Sequence, residues 1–400
     1  MASYREKASA AFESGDYAGA LELAYKSLER DPYNLESLNI AAMASTNLGE
    51  YQKAVALYEQ ALIIHGETPE VYHNLGLLHA HMGDHKGAIK IYREALGLDQ
   101  NSSEVYLSLA NSLGETGDIE AAVVSYDEAL RIEPGLKDAL FNKGVTLNRA
   151  ERYKEAAETF RQLLEMSPDD PAVIEGRAFS LGALGRLAEA LDLYRRAMAL
   201  MPDSPWTFYN AALTMESLGL LEDALDTLDS ALRLDPEFTG ASLEKANIMG
   251  DLGRDEEAVG IYDREISANP GEPLIYFNRG ISLARLGRTA EALDDFDAAI
   301  AGDPENFDAV NNKGSVLLSM GKADDALACF ESILKADKKN VTANYNRACA
   351  LARLGDTSGA LVSLKKAAQL DRSVLTEAAT DEDLLTLKDD PLYNDLFDSP

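Results

Sequence analysis

Apolar residues recur at helical spacing along the chain, in short stretches that come in pairs. Tyr106, Leu109 and Leu113 lie three or four residues apart in one stretch, and Ala122 and Tyr126 begin the next. Side chains at this spacing share one face of an α-helix. The segment GETGD separates the two stretches and is too short to form a helix of its own. Each pair of stretches therefore predicts two antiparallel helices joined by a tight turn.

The paired stretches repeat with a period of 34 residues. GDYAGALELAYKSLERDP, which ends at Pro32, returns as GDIEAAVVSYDEALRIEP, ending at Pro134, and as GRTAEALDDFDAAIAGDP, ending at Pro304. Counted from Met1, eleven ungapped units fit the sequence: 1–34, 35–68, 69–102, 103–136, 137–170, 171–204, 205–238, 239–272, 273–306, 307–340 and 341–374.

Four columns of the repeat have a physical explanation. Positions 8 and 20 are small, and position 20 is alanine in all eleven units, which lets two helices approach closely. Position 15 is glycine in ten units, with Glu151 as the exception, and glycine suits the left-handed conformation that ends a helix. Position 32 is proline in seven units, where it stops the second helix.

This period and these columns resemble the tetratricopeptide-repeat family over residues 1–374. The resemblance implies an all-α fold, a right-handed α-solenoid of tandem helix-turn-helix units, and we expect a superhelix without a gap. Residues 375–400 leave the period and predict an acidic terminal helix and tail that solvate the end of the array. We expect Thr380 to cap this helix and Leu384, Leu385 and Leu387 to cover the last repeat.

The composition of the chain limits the classes of partner that it can bind and indicates its cellular compartment. The chain has 37 basic and 68 acidic residues, a formal charge of −31, which disfavours nucleic acid and anionic membranes and favours basic or neutral protein partners. The first residues are polar, and no run of about 18 apolar residues occurs. Cys329 and Cys349 are too few for a disulfide framework, so we expect a cytoplasmic protein.

Motifs for catalysis and for cofactors are missing from the sequence. We find no nucleophile elbow, phosphate-binding loop, dinucleotide fingerprint or zinc signature, so we predict a protein that is not an enzyme and needs no cofactor. The five histidines all lie between His65 and His85. Gly83 and Asp84 interrupt the spacing of His81 and His85, which favours surface and interface roles, with His79 in the interface. The sequence leaves metal binding by this cluster open.

Charged residues follow a register between neighbouring units. Position 7 is basic in seven units, and in five of them an acid lies sixteen residues earlier, at position 25 of the preceding unit. These two positions are symmetric about the turn between units, so an antiparallel pair of helices places them level. We predict five ion pairs: Asp127–Lys143, Asp229–Lys245, Asp263–Arg279, Asp297–Lys313 and Glu331–Arg347.

The family resemblance implies that positions 2, 5, 6, 9, 12 and 13 of the first helices line a concave groove. Position 6 is asparagine in six units: Asn74, Asn142, Asn210, Asn278, Asn312 and Asn346. This pattern resembles the asparagine ladder of O-linked N-acetylglucosamine transferase, whose amides hold an extended peptide backbone. Glu244 is one of five residues that interrupt it. The alternative is that asparagine is simply common at this position of the family.

Two further sets of residues are candidates for the groove. Position 2 is acidic in four consecutive units, at Glu36, Glu70, Glu104 and Asp138, and would attract basic side chains. Trp206, Tyr209 and Phe277 would add apolar contacts farther along the chain.

We therefore predict a scaffold or adaptor that binds a partner peptide or helix. A co-chaperone, or a targeting subunit for a separate enzyme, is the alternative. The basic residues of a chaperone-type carboxylate clamp are missing, which disfavours the co-chaperone. The sequence leaves the partner, the pathway and the oligomeric state open.

Overall fold

The computed structural model describes residues 3–398, and the regular structure within them is helical throughout. The chain divides into two compact units, residues 1–202 and 203–400. The first unit contains twelve helices in six hairpins: α1 Tyr4–Glu13, α2 Tyr17–Leu28, α3 Leu35–Asn47, α4 Tyr51–His65, α5 Pro69–His81, α6 His85–Leu98, α7 Ser103–Glu115, α8 Ile119–Ile132, α9 Lys137–Arg149, α10 Tyr153–Met166, α11 Pro171–Ala183 and α12 Leu187–Leu200.

The second unit contains five more hairpins and a C-terminal segment. Its hairpin helices are α13 Pro205–Ser217, α14 Leu221–Leu234, α15 Thr239–Asp251, α16 Asp255–Ala268, α17 Pro273–Arg285, α18 Thr289–Gly302, α19 Phe307–Ser319, α20 Ala323–Ala336, α21 Val341–Arg353 and α22 Thr357–Leu370. The C-terminal segment follows as α23 Val374–Ala378, a 3₁₀ helix Glu382–Leu387 and α24 Pro391–Asp398.

The turn inside each hairpin has the conformation that the glycine column predicts. The ten glycines at position 15 have φ between 73° and 84°, for example 84° at Gly15 and 73° at Gly253. Glu151 occupies the same position in the fifth 34-residue repeat, 137–170, and has a φ of 59°. A side chain is strained in this region of backbone space because its Cβ crowds the following carbonyl oxygen. The first unit therefore holds one strained turn that glycine would relax.

The small residues at positions 8 and 20 are explained by close contacts between helices. The alanines at position 20 are fully buried in all eleven units. Position 24 is a buried aromatic residue in eight repeats, and where position 8 is glycine the ring lies directly against it. A Cβ added to Gly76 would lie 2.4 Å from the Tyr92 ring, and one added to Gly144 would lie 2.7 Å from the Phe160 ring. A small residue at position 8 therefore leaves the space that the ring at position 24 fills.

Within each unit, the second helix of one hairpin packs against the first helix of the next. First helices also contact one another, as α7 contacts α9 and α17 contacts α19. We call the surface formed by α13, α15, α17, α19 and α21 the first-helix face of the second unit. The corresponding face of the first unit is formed by α1, α3, α5, α7, α9 and α11.

All five predicted ion pairs are present. Lys143 Nζ lies 2.6 Å from Asp127, Arg279 lies 2.5 Å from Asp263, and Lys313 lies 2.5 Å from Asp297. Lys245 pairs with Asp229, and Arg347 lies 3.1 Å from Glu331. The register argument is confirmed.

Arg279 has a second carboxylate partner that the spacing did not predict. Its Nε and Nη2 donate to the two oxygens of Asp295 at 2.7 and 2.6 Å, and the Asp295 side chain is only 5% exposed. The hydrogen bonds to Asp295 raise the pKa of Arg279 above its usual range.

The C-terminal segment covers the last hairpin, but not as the one helix that we expected. Asp381 accepts from the backbone N–H of Asp383 and caps the 3₁₀ helix, so Thr380 is not the N-cap. The Thr380 hydroxyl instead donates back to the Glu377 carbonyl, at the end of α23.

Two of the three leucines expected to cover the last repeat do so. Leu384 and Leu387 are fully buried, whereas Leu385 is 45% exposed. Three side-chain hydrogen bonds tie this segment to α21: from Tyr345 to Asp381 at 2.6 Å, from Cys349 Sγ to Asp381 at 3.5 Å and from Arg353 to Asp383 at 2.5 Å.

The expected fold class, an all-α solenoid of tandem helix hairpins, is confirmed within each unit. Among residues 3–398, no helix is both long enough and apolar enough to span a membrane.

Candidate functional site

A hydrogen-bonded triad lies at the centre of the second unit's first-helix face. Asn247 is at position 9 of α15, and its Oδ1 accepts from the Tyr262 hydroxyl at 2.7 Å. The same oxygen accepts from Asn278 Nδ2 at 3.0 Å, which joins α15 to α17 of the next hairpin. The triad thus ties one hairpin to its neighbour and fixes the orientation of both amides.

The same triad occurs in the first unit. Asn111 Oδ1 accepts from Tyr126 at 2.7 Å and from Asn142 Nδ2 at 3.1 Å. Asn346, at the end of the predicted ladder, donates to Asn311 at 2.8 Å. Three of the six predicted ladder amides are therefore engaged in contacts between repeats. Within residues 3–398, the side chains of the other three make no hydrogen bond to another residue: Asn74, Asn210 and Asn312.

A cleft of about 610 Å³ opens beside the second triad. Residues of α15, of α17 and of the turn that precedes α17 line it: Thr239, Leu243, Asn247, Pro270, Leu274, Ile275 and Asn278. A second cleft of about 200 Å³ lies on the other side of the same amides and reaches Asp251 and Arg285. Asn247 and Asn278 thus line two recesses, one mainly apolar and one with polar and apolar surface in equal parts.

An aromatic cluster lies at the start of the same face. Trp206 and Tyr209 are on α13, and Phe238 immediately precedes α15. The Trp206 and Phe238 ring centroids are 4.4 Å apart, and those of Tyr209 and Phe238 are 5.0 Å apart. Trp206 nevertheless remains 61% exposed. A large aromatic side chain that is fixed by its neighbours and still open to solvent is a suitable anchor for a partner.

Two carboxyl groups meet beside this aromatic cluster. Glu244, on α15, is half-buried, and its carboxyl group interacts with that of Glu216 on α13. Burial and the adjacent Glu216 carboxyl raise the pKa of Glu244 to about 7. Asn247 Nδ2 lies 3.5 Å from Glu244 Oε2, which connects the carboxyl pair to the triad. Burial and both carboxylates also raise the pKa of Tyr209, which connects the pair to the aromatic cluster.

Phe277 is less accessible than the other aromatic candidates. It is half-buried, and its centroid is 6.3 Å from that of the buried Phe296. It therefore contributes to the core as well as to the face.

The four predicted acids of the first unit are all exposed, but two of them already have partners. Arg5 Nη1 lies 3.1 Å from Glu36, and Asn39 Nδ2 donates to Glu70 at 2.9 Å. In each case a residue at position 5 of one repeat contacts the acid at position 2 of the next repeat. The other two acids are Glu104 and Asp138.

The histidines have separate contacts. His79, expected in the interface, is half-buried and bonded to Asp84 at 2.9 Å, whereas His73 contacts Ser108 across two hairpins at 3.0 Å. Among residues 3–398, the one group of three candidate metal ligands is Cys349, Asp381 and Asp383. Burial raises the pKa of Cys349, and Arg353 already pairs with Asp383, so the group is a docking contact of the C-terminal segment.

Family models described as tetratricopeptide repeat match most of the hairpins. The matched residues are 33–101, 107–171, 183–237, 283–352 and 341–374, which together exceed half of the chain. The chain belongs to the tetratricopeptide-repeat family. No curated protein matches it significantly.

Solved tetratricopeptide-repeat structures resemble this chain in fold. The C-terminal part of a repeat protein from Cytophaga hutchinsonii is 18% identical, with a TM-score of 0.51 over 59% of this chain and 97% of that chain. A chain of the APC/C hetero-tetramer Cut9–Hcn1 is 12% identical, with a TM-score of 0.49 over 98% and 96%. YrrB, described as having an unusual peptide-binding site, is 24% identical, with a TM-score of 0.42 over 46% and 95%.

Sequence reasoning missed the carboxyl pair and the third aromatic ring of this tetratricopeptide-repeat protein. Glu244 was noticed only as an interruption of the asparagine column. The available signal was an acid at position 12 of one repeat followed by an acid at position 6 of the next, both on the first-helix face. Phe238 lies in the turn between repeats, outside the positions that the family resemblance assigns to the groove.

Proposed function

We propose that this tetratricopeptide-repeat scaffold binds a segment of a partner protein on the first-helix face of its second unit. The observation that carries the proposal is the cleft of about 610 Å³ between α15 and α17, on the same face as the exposed Trp206. A concave, mainly apolar recess with a few fixed polar groups is the usual form of a ligand site.

Each part of the face has a role in the proposed complex. Trp206 and Tyr209 provide apolar contact, and the cleft receives an apolar side chain against Leu243 and Leu274. Asn278, oriented by its bond to Asn247, keeps its carbonyl oxygen and one N–H for the backbone of the bound segment. Asn210, Asn312 and Asn346 extend this amide row, with Phe277 beside it.

The first unit has a smaller part in the proposal. Glu36, Glu70, Glu104 and Asp138 are exposed acids that attract a basic partner at long range, within the field of a chain of net charge −31. Asn142 joins two repeats through Asn111, whereas Asn74 makes no such bond within residues 3–398 and has its amide open for a ligand. We propose a protein partner rather than nucleic acid or membrane, a binding role without catalysis, and a cytoplasmic setting consistent with the free thiols of Cys329 and Cys349.

The test begins with peptides selected on the full chain from a random phage library. Their affinities are then measured for wild type, Trp206→Ala and Phe179→Ala. Phe179 is a matched control because it is an exposed aromatic residue, 51% accessible, on a first helix of the first unit. Trp206→Ala should weaken binding by about 1–3 kcal/mol, and Phe179→Ala should leave it unchanged. Equal affinities for all three proteins would contradict the proposal.

A further inference from the structure

Within residues 3–398, no lysine or arginine forms an ion pair with Glu216 or Glu244. The ion pairs between repeats each place a basic residue opposite an acid, as Lys143 does for Asp127. Here two acids from neighbouring hairpins meet, and Asp251, about two turns farther along α15, adds a third negative charge nearby. Like charges at a half-buried contact destabilise it unless a proton or a cation intervenes.

Aromatic rings lie beside the pair, and Asn247, whose Nδ2 lies 3.5 Å from Glu244 Oε2, also lines the apolar cleft. Tyr209 connects the carboxylates to Trp206 and Phe238, because its phenol lies within the field of both acids and its ring lies 5.0 Å from that of Phe238. Leu243, next to Glu244 in the sequence, lines the cleft. A ligand that reaches the acids can therefore contact apolar and aromatic surface along its length.

These surroundings identify the kind of cation. Divalent metals such as calcium take six to eight oxygen ligands, and among residues 3–398 these acids do not form a group of three at metal-site spacing. A lysine or arginine side chain fits better, because its carbon stem packs on apolar surface while its charged end meets carboxylates. Cations are also attracted to the faces of tryptophan and tyrosine rings.

We propose that Glu216 and Glu244, beside Trp206, Tyr209 and Phe238, receive a basic side chain of the bound peptide. This inference rests on the proposed function and adds the residue that the site selects. The carboxylates accept hydrogen bonds from the ammonium or guanidinium group, and the cleft takes a neighbouring apolar residue of the same peptide. Selectivity follows because an uncharged side chain of the same length leaves the two acids opposed.

The test uses four libraries of acetylated eleven-residue peptides on the full chain. The central residue is fixed as lysine, arginine, norleucine or glutamate, and the other positions are random mixtures without lysine, arginine or histidine. Fluorescence anisotropy measures the binding of each library to wild type, E244Q, E216Q/E244Q and W206A. The control D226N/D294N removes two exposed acids of the second helices α14 and α18, so it matches the charge change of the double variant.

Wild type and D226N/D294N should bind the lysine and arginine libraries at least tenfold more tightly than the norleucine library. This preference should fall in E244Q and drop below about twofold in E216Q/E244Q, whose glutamines keep the shape of the site. A preference absent from wild type, or retained in E216Q/E244Q, overturns the inference, while loss of binding in W206A still supports the proposed function. If no library binds, or if W206A binds all four as wild type does, the proposed function fails and this inference fails with it.

Discussion

The two asparagine–tyrosine triads are nearly identical in geometry and differ in what surrounds them. In each, a tyrosine donates to an asparagine oxygen at 2.7 Å, and the next hairpin donates to it at 3.0 or 3.1 Å. Around the first triad the neighbouring charges are matched, because Arg149 pairs with Glu115 at 2.9 Å. Around the second, the Glu216–Glu244 pair and a cleft of about 610 Å³ adjoin the amides.

The comparison separates a packing role from a ligand role. Asparagine at position 6 joins neighbouring repeats where the preceding repeat offers an amide oxygen, at position 9 for Asn142 and Asn278 and at position 5 for Asn346. The ligand binding that we propose instead depends on the cleft, the exposed ring and the unmatched charge, which occur together around the second triad. The asparagine column alone is therefore a weak signature of a binding groove.

Substitutions of the basic residue at position 7 of the repeat should show the largest difference in stability cost between the two units. Arg279→Met leaves the buried Asp295 without its partner, and we expect a cost of about 3 kcal/mol. Lys143→Met removes a pair whose Asp127 side chain is 55% exposed, and the cost should stay below about 1 kcal/mol. Hydrogen exchange of α16–α18 and of α8–α10 measures both local stabilities. Equal costs would show that the burial of Asp295 does not matter.

Removing the central amide should destabilise both triads equally. Asn247→Ala and Asn111→Ala each remove the nearest acceptor of a largely buried tyrosine hydroxyl and of a neighbouring amide, at a cost of about 2 kcal/mol. Tyr126 keeps only a longer contact, of 3.5 Å, with Thr146. Denaturation followed by hydrogen exchange should give the same local loss in each unit. A loss in one unit only would mean that the triads differ in structural role, contrary to their matching geometry.

The carboxyl pair should make the second unit sensitive to pH near neutrality. The pKa of Glu244 is raised to about 7, from the 4.5 of an ordinary glutamate. This group therefore stabilises the fold below pH 4.5, and its contribution is lost as the pH rises through about 7. Hydrogen exchange of α13–α16 should show weaker protection at pH 8 than at pH 5.5.

The titrating groups that interact with Glu244 are Glu216 and Tyr209 of α13, Asp251 of α15 and Tyr262 of α16, and Arg285 of α17 acts on Tyr262. The E244Q variant removes the titration of Glu244 alone. It should abolish most of the difference in hydrogen-exchange protection between pH 5.5 and pH 8. Conversely, the lysine-centred library should bind about tenfold more tightly at pH 8 than at pH 6, because a cation needs the deprotonated pair. A profile of E244Q identical to wild type would contradict the assignment.

The strained turn of the first unit should give the smallest effect. Glu151→Gly relieves a left-handed backbone, and the gain should be about 0.5–1 kcal/mol after the greater freedom of glycine in the unfolded chain is counted. Gly253→Ala, at the same position of the second unit, should destabilise by a similar amount. Thermal unfolding should show a higher Tm for Glu151→Gly and a lower Tm for Gly253→Ala than for wild type.

The helix hairpins and the ion pairs follow from the sequence because each depends on a periodic column. Ala20, Gly15 and the sixteen-residue spacing recur often enough to be recognised without a structure. The partner of Arg279 at Asp295 and the Glu216–Glu244 pair occur once each, so no column indicates them. Asp381 replaced Thr380 as the cap because the backbone of a short 3₁₀ helix needed an acceptor two residues earlier, which local sequence alone did not distinguish.

The central claim is that the second triad serves a ligand and the first does not. Calorimetry of a phage-selected peptide against Asn278→Ala and Asn142→Ala tests it directly, because the two residues occupy the same position and make the same internal bond. The account predicts at least a tenfold loss of affinity for Asn278→Ala and less than a twofold change for Asn142→Ala. Equal losses, or a loss for Asn142→Ala alone, would contradict it.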